Sequence, residues 1–138
     1  MAVFALTNCY VTVNAVDLAD HCRQVNIETE ADQLDSTTFG PGGWKSYIGG
    51  LKGGTVSFEF LDDFASSSVD ATLWGAFNTG TAVAVAVRPV NTTIAATNPE
   101  YQFNILPHAW SLGGSIGELA GKSPSYNITG AVTRDVAP

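Results

Sequence analysis

The chain has 138 residues, of which 45 % are hydrophobic and only 14 % are charged, with thirteen acidic and six basic side chains. This length predicts one domain over residues 1–138 that buries a core of its own. The net charge of −7 has the wrong sign for binding the phosphates of nucleic acid, which argues against tight DNA or RNA binding. So few charges also indicate that partners cover part of the surface.

No window of the sequence reaches the roughly 18 apolar residues that a membrane helix needs, and the first residues lack the pattern of a signal peptide. We therefore expect no membrane insertion and synthesis in the cytoplasm. Cys9 and Cys22 fall on strands that we expect to be adjacent, which would permit a disulfide. In a reducing compartment free thiols are the expected state.

Two short strands are predicted near the start of the chain, over residues 7–14 and 21–31, because apolar side chains alternate in both. A tight turn after Asn14 is expected to join them into a hairpin. One face of the second strand is polar and predicts contact with solvent or an aqueous channel. That face holds Gln24, Asn26, Glu28 and Glu30.

Residues 32–54 are rich in glycine but also contain large apolar side chains, which flexible linkers lack. Each of these is worth about 1.5–3 kcal/mol when fully enclosed. We interpret the segment as an extended loop or open hairpin that becomes ordered against another subunit. The alternative is a surface loop folded back on its own domain. The apolar residues are Phe39, Trp44, Tyr47, Ile48 and Leu51.

A strand, a helix and a second strand are predicted over residues 55–90. In the first strand Ser57 and Glu59 alternate with apolar residues, so one face is buried and the other polar. The helix is expected at about 67–78, beginning at a capping box formed by Ser67 and Asp70. Alternating valines from Val83 predict the second strand.

The helix is expected to pack on the sheet through Val69, Leu73 and Phe77, which recur at helical spacing. Two further strands are predicted over residues 100–109 and 124–134. Between them we expect Ile116 and Leu119 to be buried in a glycine-rich segment.

These elements predict a mainly β fold, a β-sandwich or small barrel of six or seven strands. The single helix is expected to cover one open side or end.

Catalytic chemistry is not predicted. The acidic pairs are explained by a polar strand face at Glu28 and Glu30 and by the helix dipole at Asp62 and Asp63. The spacing of cysteine and histidine matches no metal motif, and the glycine pairs form no phosphate loop. We therefore expect no enzymatic activity, no metal and no cofactor.

Four segments give the chain a resemblance to a known family, and with the order of strands they cover most of its length. They are 16–21 (VDLADH), 33–37 (QLDST), 60–74 (FLDDFASSSVDATLW) and 112–120 (LGGSIGELA). The chain resembles the major tail protein, or tail tube protein, of long-tailed siphophages, especially those that infect actinobacteria.

The resemblance implies a β-sandwich of the phage tail-tube type with one flanking helix. It further implies that six copies close into a ring and that rings stack into a hollow tube of the virion, assembled in the host cytoplasm. Double-stranded DNA would pass through the tube transiently and without sequence preference, and other tail proteins would contact the tube ends. The loop 32–54 and the terminal arms, about 1–5 and 134–138, would bridge subunits.

On this basis two groups of residues acquire expected roles. An acidic channel wall repels DNA, whereas a basic wall would hold it through counterion release. The expected channel-lining residues are Gln24, Asn26, Glu28, Glu30, Ser57 and Glu59. The expected inter-subunit residues are Phe39, Trp44, Tyr47, Ile48 and Leu51, and Lys52 and Arg88 are expected to pair with acids across interfaces.

Two other functions are compatible with the sequence. A capsid decoration or tail terminator protein is also an oligomeric β-sandwich, but it forms closed trimers or rings that do not stack. A carbohydrate-binding or hydrolytic domain would require exposed aromatic residues such as Trp44, Tyr47 and Trp110 on one rigid face.

Overall fold

The computed structural model describes residues 7–40, 42–66 and 68–137. Within these ranges the protein is mainly β, with one α-helix and a single 3-10 turn at Ala19–His21. The elements are β1 (Tyr10–Val13), β2 (Val16–Asp17), β3 (Cys22–Asp35), β4 (Tyr47–Leu61), α1 (Val69–Thr79), β5 (Val83–Arg88), β6 (Glu100–Ile105), β7 (Gly121–Lys122) and β8 (Ser125–Asp135).

All eight strands join one antiparallel sheet in the order β2-β1-β5-β6-β8-β4-β3, with β7 paired to β4. The sheet curls on itself, because Val11 of β1 and Val25 of β3 line the same cavity although their strands lie near opposite ends of this order. The predicted mainly β fold with one helix is confirmed. Its strands are hydrogen-bonded as one curled sheet.

The predicted pairing of the first two strands is wrong. Asn14 and Ala15 do form the expected tight turn, with φ angles of 52° and 64° that suit a two-residue hairpin. The returning strand β2 has only two residues, however, before the 3-10 turn leads the chain away. β1 instead pairs with β5, and β3 pairs with β4.

The core is formed by the apolar faces of the strands, as their alternation predicts. Among the described residues, its fifteen buried hydrophobic side chains come from the strands, from Leu18 and from the helix. Those on the strands are Val11, Val13, Val56, Phe58, Phe60, Val83, Val85, Val87, Phe103, Ile105 and Tyr126.

The helix begins two residues later than predicted and ends at Thr79, followed by Gly80 in the left-handed conformation with φ of 68°. Ser68 is the N-cap and makes no side-chain capping bond, while the expected cap Ser67 lies outside the described residues.

Val69 and Leu73 are buried as predicted, but Ala76 rather than Phe77 completes the buried face. Phe77 is only half-buried, and its ring centroid lies 5.8 Å from that of Trp74.

Replacing Leu73 by alanine is expected to lower the free energy of unfolding by about 2–5 kcal/mol, because the side chain is buried between α1 and the sheet. Urea denaturation of dispersed subunits measures this change. Leu112→Ala is the matched control, since Leu112 is exposed and its truncation is expected to change stability by less than about 0.5 kcal/mol. Equal effects of the two variants would contradict the burial of Leu73.

In the ranges that the structure describes, no helix is long and apolar enough to cross a membrane.

Candidate functional site

The six expected channel-lining residues lie on one face of the sheet. Residues directly opposite each other in an antiparallel pair share a face. Asn26 Nδ2 donates a hydrogen bond to Glu28 Oε1 at 3.1 Å, which links neighbours on that face. The register pairs Gln24 with Glu59, Asn26 with Ser57, Glu28 with Thr55 and Glu30 with Gly53.

This polar face continues beyond the residues expected from the sequence, onto β8 and β6. Ser57 Oγ donates to Ser125 Oγ at 3.3 Å. Asn127 lies opposite Thr55 on the next strand. The period of two in β8 could have indicated its polar side, but only the strand pairing reveals that it extends the face of β3 and β4.

The β3 and β4 part of the polar face is acidic. Glu28, Glu30 and Glu59 contribute three carboxylates, and among the described residues only Glu59 of these three has a cation within 4 Å, with Arg23 Nη1 3.8 Å from Glu59 Oε1. Arg23 sits at a register shift between Cys22 and Gln24, where a bulge redirects the side chain. Both members of this ion pair are substantially exposed, so it contributes little to stability.

The predicted loop 32–54 is instead the outer part of a long hairpin, in which residues 32–35 belong to β3 and residues 47–54 belong to β4. This part of the chain is paired within its own subunit, whereas the prediction had it become ordered against another subunit. β3 and β4 stay paired out to Asp35 and Tyr47. Beyond them Ser36 N donates to Ser46 O at 2.9 Å, which closes the base of the tip, residues 36–46. Glycine is needed within the ladder, since a Cβ on Gly54 would lie 2.6 Å from Glu28 O.

All five expected inter-subunit residues of this hairpin are exposed in the isolated chain. Phe39 is fully exposed, and Trp44 and Leu51 are about four-fifths exposed. Tyr47 and Ile48 are more than half exposed. The exposed apolar surface of these side chains gains nothing from burial within its own subunit.

The outer edge of the hairpin also lacks a hydrogen-bonding partner. Among the described residues β3 pairs only with β4, although it is 14 residues long. A long unpaired edge presents backbone N–H and C=O groups that can pair with another chain. The opposite end of the sheet is the two-residue strand β2.

Between the edges of β1 and β3 lies a cavity of about 680 Å³ whose walls include Cys9 and Cys22. The expectation that these residues occupy adjacent strands is wrong, because Cys9 precedes β1, and β1 and β3 are not neighbours in the sheet. Both are free thiols, and Cys9 Sγ donates to Arg88 O at 3.0 Å.

Burial raises the pKa of Cys22 to about 11 and also raises the pKa of Cys9. Both thiols therefore keep their protons at neutral pH, a state unsuited to nucleophilic attack.

The imidazole ring of His21 connects two segments of the fold. Its Nδ1 lies 3.0 Å from Asp20 Oδ1 and its Nε2 lies 3.0 Å from Asp63 Oδ2, so it links the 3-10 turn to the segment after β4. The backbone N–H of Ala65, with smaller contributions from Ser68 and His21, lowers the pKa of Asp63.

Across the described ranges no group of three or more His, Cys, Asp or Glu side chains could hold a metal ion.

Two groups of ion-paired side chains are largely buried, one centred on Lys122 and the other on Arg88. Lys122 Nζ lies 3.2 Å from Asp62 Oδ1 and 3.1 Å from Asp70 Oδ1, joining β7, the end of β4 and the first turn of α1. The same ammonium lies 5.0 Å from the centroid of the Trp110 ring.

Arg88 Nε lies 2.7 Å from Glu100 Oε2, and its guanidinium stacks on Tyr10 at 3.7 Å. The expectation that Arg88 pairs across an interface is therefore wrong, since its partners are in its own subunit.

A second exposed apolar segment, residues 106–120, was not expected. It contains no strand or helix, and the prediction that Ile116 and Leu119 are buried is wrong, since Ile116 is fully exposed and Leu119 mostly so. The segment is attached at both ends, where Leu106 N donates to Asn127 O at 3.5 Å and Asp62 N donates to Ala120 O at 2.9 Å. Its interior makes no strand pairing that would bring these side chains inward.

The aromatic residues that a carbohydrate-binding domain would require do not form one platform. Trp44 is at the hairpin tip, whereas Trp110 packs edge-on against Trp74 of α1 with ring centroids 5.0 Å apart.

No family model and no curated protein matches the sequence. Solved structures do match the fold. One is a chain of the virion of a native gene transfer agent particle, with a TM-score of 0.73 and 16 % identity over 92 % of this chain and 95 % of that chain. Another comes from the tail of an empty gene transfer agent particle refined with helical and C6 symmetry, with a TM-score of 0.63 and 19 % identity over 82 % and 81 %. At these identities the likeness establishes a shared fold along nearly the whole chain.

Proposed function

We propose that this protein is a structural subunit of a phage-like tail, in which six copies close into a ring and stacked rings form a hollow tube. The observation that carries the proposal is the fold shared with a chain from a gene transfer agent tail of C6 symmetry. In this proposal residues 1–138 act as one tail-tube domain with no enzymatic activity. The protein resides in the virion and assembles in the host cytoplasm.

The surface chemistry of the isolated chain supports assembly. The unpaired edge of β3 and the exposed apolar residues of its hairpin are features that a soluble monomer normally covers or avoids. A ring needs a heterologous interface, in which one patch of a subunit meets a different patch of the next. Strands of neighbouring subunits would pair at such an interface and continue the sheet around the bore.

The polar face of β3 and β4 would then line the bore. Its proposed channel-lining set is Gln24, Asn26, Glu28, Glu30, Ser57 and Glu59. Because DNA binding draws its affinity from the neutralisation of phosphates, a wall with an excess of carboxylates gives the genome no site at which to stop. Passage of double-stranded DNA is passive and independent of sequence.

The other contacts follow from the same arrangement. The exposed hairpin, with Phe39, Trp44, Tyr47, Ile48 and Leu51, would bridge subunits, and other tail proteins would meet the tube at its ends. Of the expected terminal arms, residues 134 and 135 belong to β8 and pair with β6, while residues 1–5 and 138 lie outside the described part of the chain.

Negative-stain images and sedimentation velocity of the purified full chain test this proposal. Tubes or stacked rings with sixfold end views are expected. Closed trimers or single rings that never stack would instead favour a decoration or terminator protein. A chain that remains monomeric at all concentrations, with the tip 36–46 protected from hydrogen exchange, would overturn the proposal.

A further inference from the structure

We infer that the hairpin tip of one subunit, residues 36–46, docks on the 106–120 segment of a second copy, with Lys45 facing Glu118. This inference rests on the proposed function, because it names the two different patches that a heterologous contact between subunits requires.

The tip carries apolar surface and one positive charge. Phe39 and Trp44 are exposed there, and Lys45 is the only charged residue of the tip. Lys45 is itself exposed, and no described carboxylate lies within 4 Å of its ammonium. In the isolated subunit the tip therefore has neither an apolar partner nor a counter-ion.

The 106–120 segment has the complementary properties. Leu112, Ile116 and Leu119 are exposed, and Glu118 is the only residue of the segment with a formal charge at neutral pH. Glu118 N donates to Ser115 O at 3.1 Å, and Gly117 has a φ of 83°. This turn places Ile116 at its outer end.

Contacts with the rest of the subunit also fix the position of the 106–120 segment, so that it can act as a rigid acceptor surface. Trp110 lies against Trp74 of α1 and under the ammonium of Lys122, and Ala120 is bonded to the backbone of Asp62. The apolar side chains of the turn thus face outward from an anchored base.

The charges of the chain favour this pairing. Arg23, Arg88 and Lys122 are engaged with carboxylates of their own subunit, and Arg134 Nε donates to Tyr101 Oη at 3.3 Å. Lys52 has no carboxylate within 4 Å among the described residues, but it lies within β4 opposite Ala31 and away from the tip. Lys45 is therefore the cation that accompanies the exposed aromatic residues.

A cross-linking experiment on assembled wild-type protein tests the contact directly. Subunits labelled with nitrogen-15 are mixed with unlabelled subunits, assembled and treated with a carbodiimide, which joins an amine to an adjacent carboxylate. The expected product is a Lys45–Glu118 peptide pair that combines labelled and unlabelled chains. A Lys45–Glu118 product found only within single chains, or a Glu118 product with Lys52 alone, would overturn the inference.

Charge reversal provides the functional test, because simple removal of an exposed ion pair has too small an effect. Lys45→Glu and Glu118→Lys are each expected to reduce the assembled fraction at least about tenfold, and the double variant is expected to restore it. Lys45→Arg keeps the positive charge at the same position and is expected to assemble normally. Unchanged urea midpoints of all variants as dispersed subunits would confirm that folding is intact.

The failures are distinguishable. If wild-type tubes form but neither reversal affects them, the docking is wrong and the proposed function stands. If the wild-type chain never assembles, both are wrong.

Discussion

Replacement of Lys122 by methionine is expected to lower the free energy of unfolding by about 3–5 kcal/mol. The Lys122 side chain is only 2 % exposed, and that of Asp62 is fully buried. Neither carboxylate oxygen of Asp62 has a hydrogen-bond partner, so the ammonium 3.2 Å away is the contact that compensates its burial. Methionine keeps most of the volume of lysine but leaves this carboxylate buried without a counter-ion.

The position of Lys122 explains why the effect should extend beyond one pair. Asp70 lies in the first turn of α1, Asp62 follows the end of β4, and Lys122 belongs to β7. The ammonium therefore ties three elements together at the base of the 106–120 segment. Loss of this contact is expected to increase hydrogen exchange in that segment as well as lower global stability.

Arg23→Met is the matched control, since it also removes a cation from an ion pair. Arg23 and Glu59 are exposed and 3.8 Å apart, so a change below about 1 kcal/mol is expected. A triple variant, Lys122→Met with Asp62→Asn and Asp70→Asn, removes the buried charges together and is expected to recover much of the lost stability. An Lys122→Met variant within about 1 kcal/mol of the wild type would contradict the role of Lys122.

Local periodicity was sufficient to predict the strands that bury one face. β5 is an example, because Val83, Val85 and Val87 alternate with smaller or polar residues and are buried as expected. The helix was also predictable, because its spacing and the glycine that ends it are local features. In each case the signal and the structure involve the same few residues.

Strand partners were not predictable from the same patterns. β1 finds its partner in β5, some seventy residues later, and nothing local distinguishes that pairing from a hairpin with β3. The strand character of residues 47–54 was obscured by four glycines, which give no alternation of side chains, and two of them, Gly50 and Gly54, accept the close approach of β3. Backbone pairing, not side-chain period, maintains that part of the hairpin.

The candidate site was partly predictable for the same reason. The polar residues of β3 share a face because side chains alternate along a strand, and β4 then adds Ser57 and Glu59 through its register. The 106–120 segment was misjudged because apolar residues among glycines can be core or exposed surface, and only the three-dimensional contacts distinguish these. The inferred contact of this segment with Lys45 could not be predicted from the sequence, because it depends on which of the other cations already have an ion-pair partner.

Tubes assembled from a Glu28→Lys, Glu30→Lys variant are expected to retain double-stranded DNA that wild-type tubes release. Both side chains lie on the acidic face and are exposed in the subunit, so the substitutions are expected to leave folding intact. Two repelling carboxylates per subunit become two ammonium groups, which release counterions when they neutralise phosphates. If six to ten phosphates are engaged, affinity is expected to fall about 10³–10⁵-fold between 50 and 200 mM salt.

Short DNA present during assembly and then challenged with a nuclease too large to enter the tube distinguishes the bore from the outer surface. The lysine variant is expected to protect the DNA at low salt and the wild type is not. Glu28→Gln with Glu30→Gln is the control, since it removes repulsion without adding cations and is expected to protect little. DNA that binds the lysine tubes but is fully digested would place Glu28 and Glu30 on the outside, because a bore-facing cation can hold DNA only where the nuclease cannot reach it.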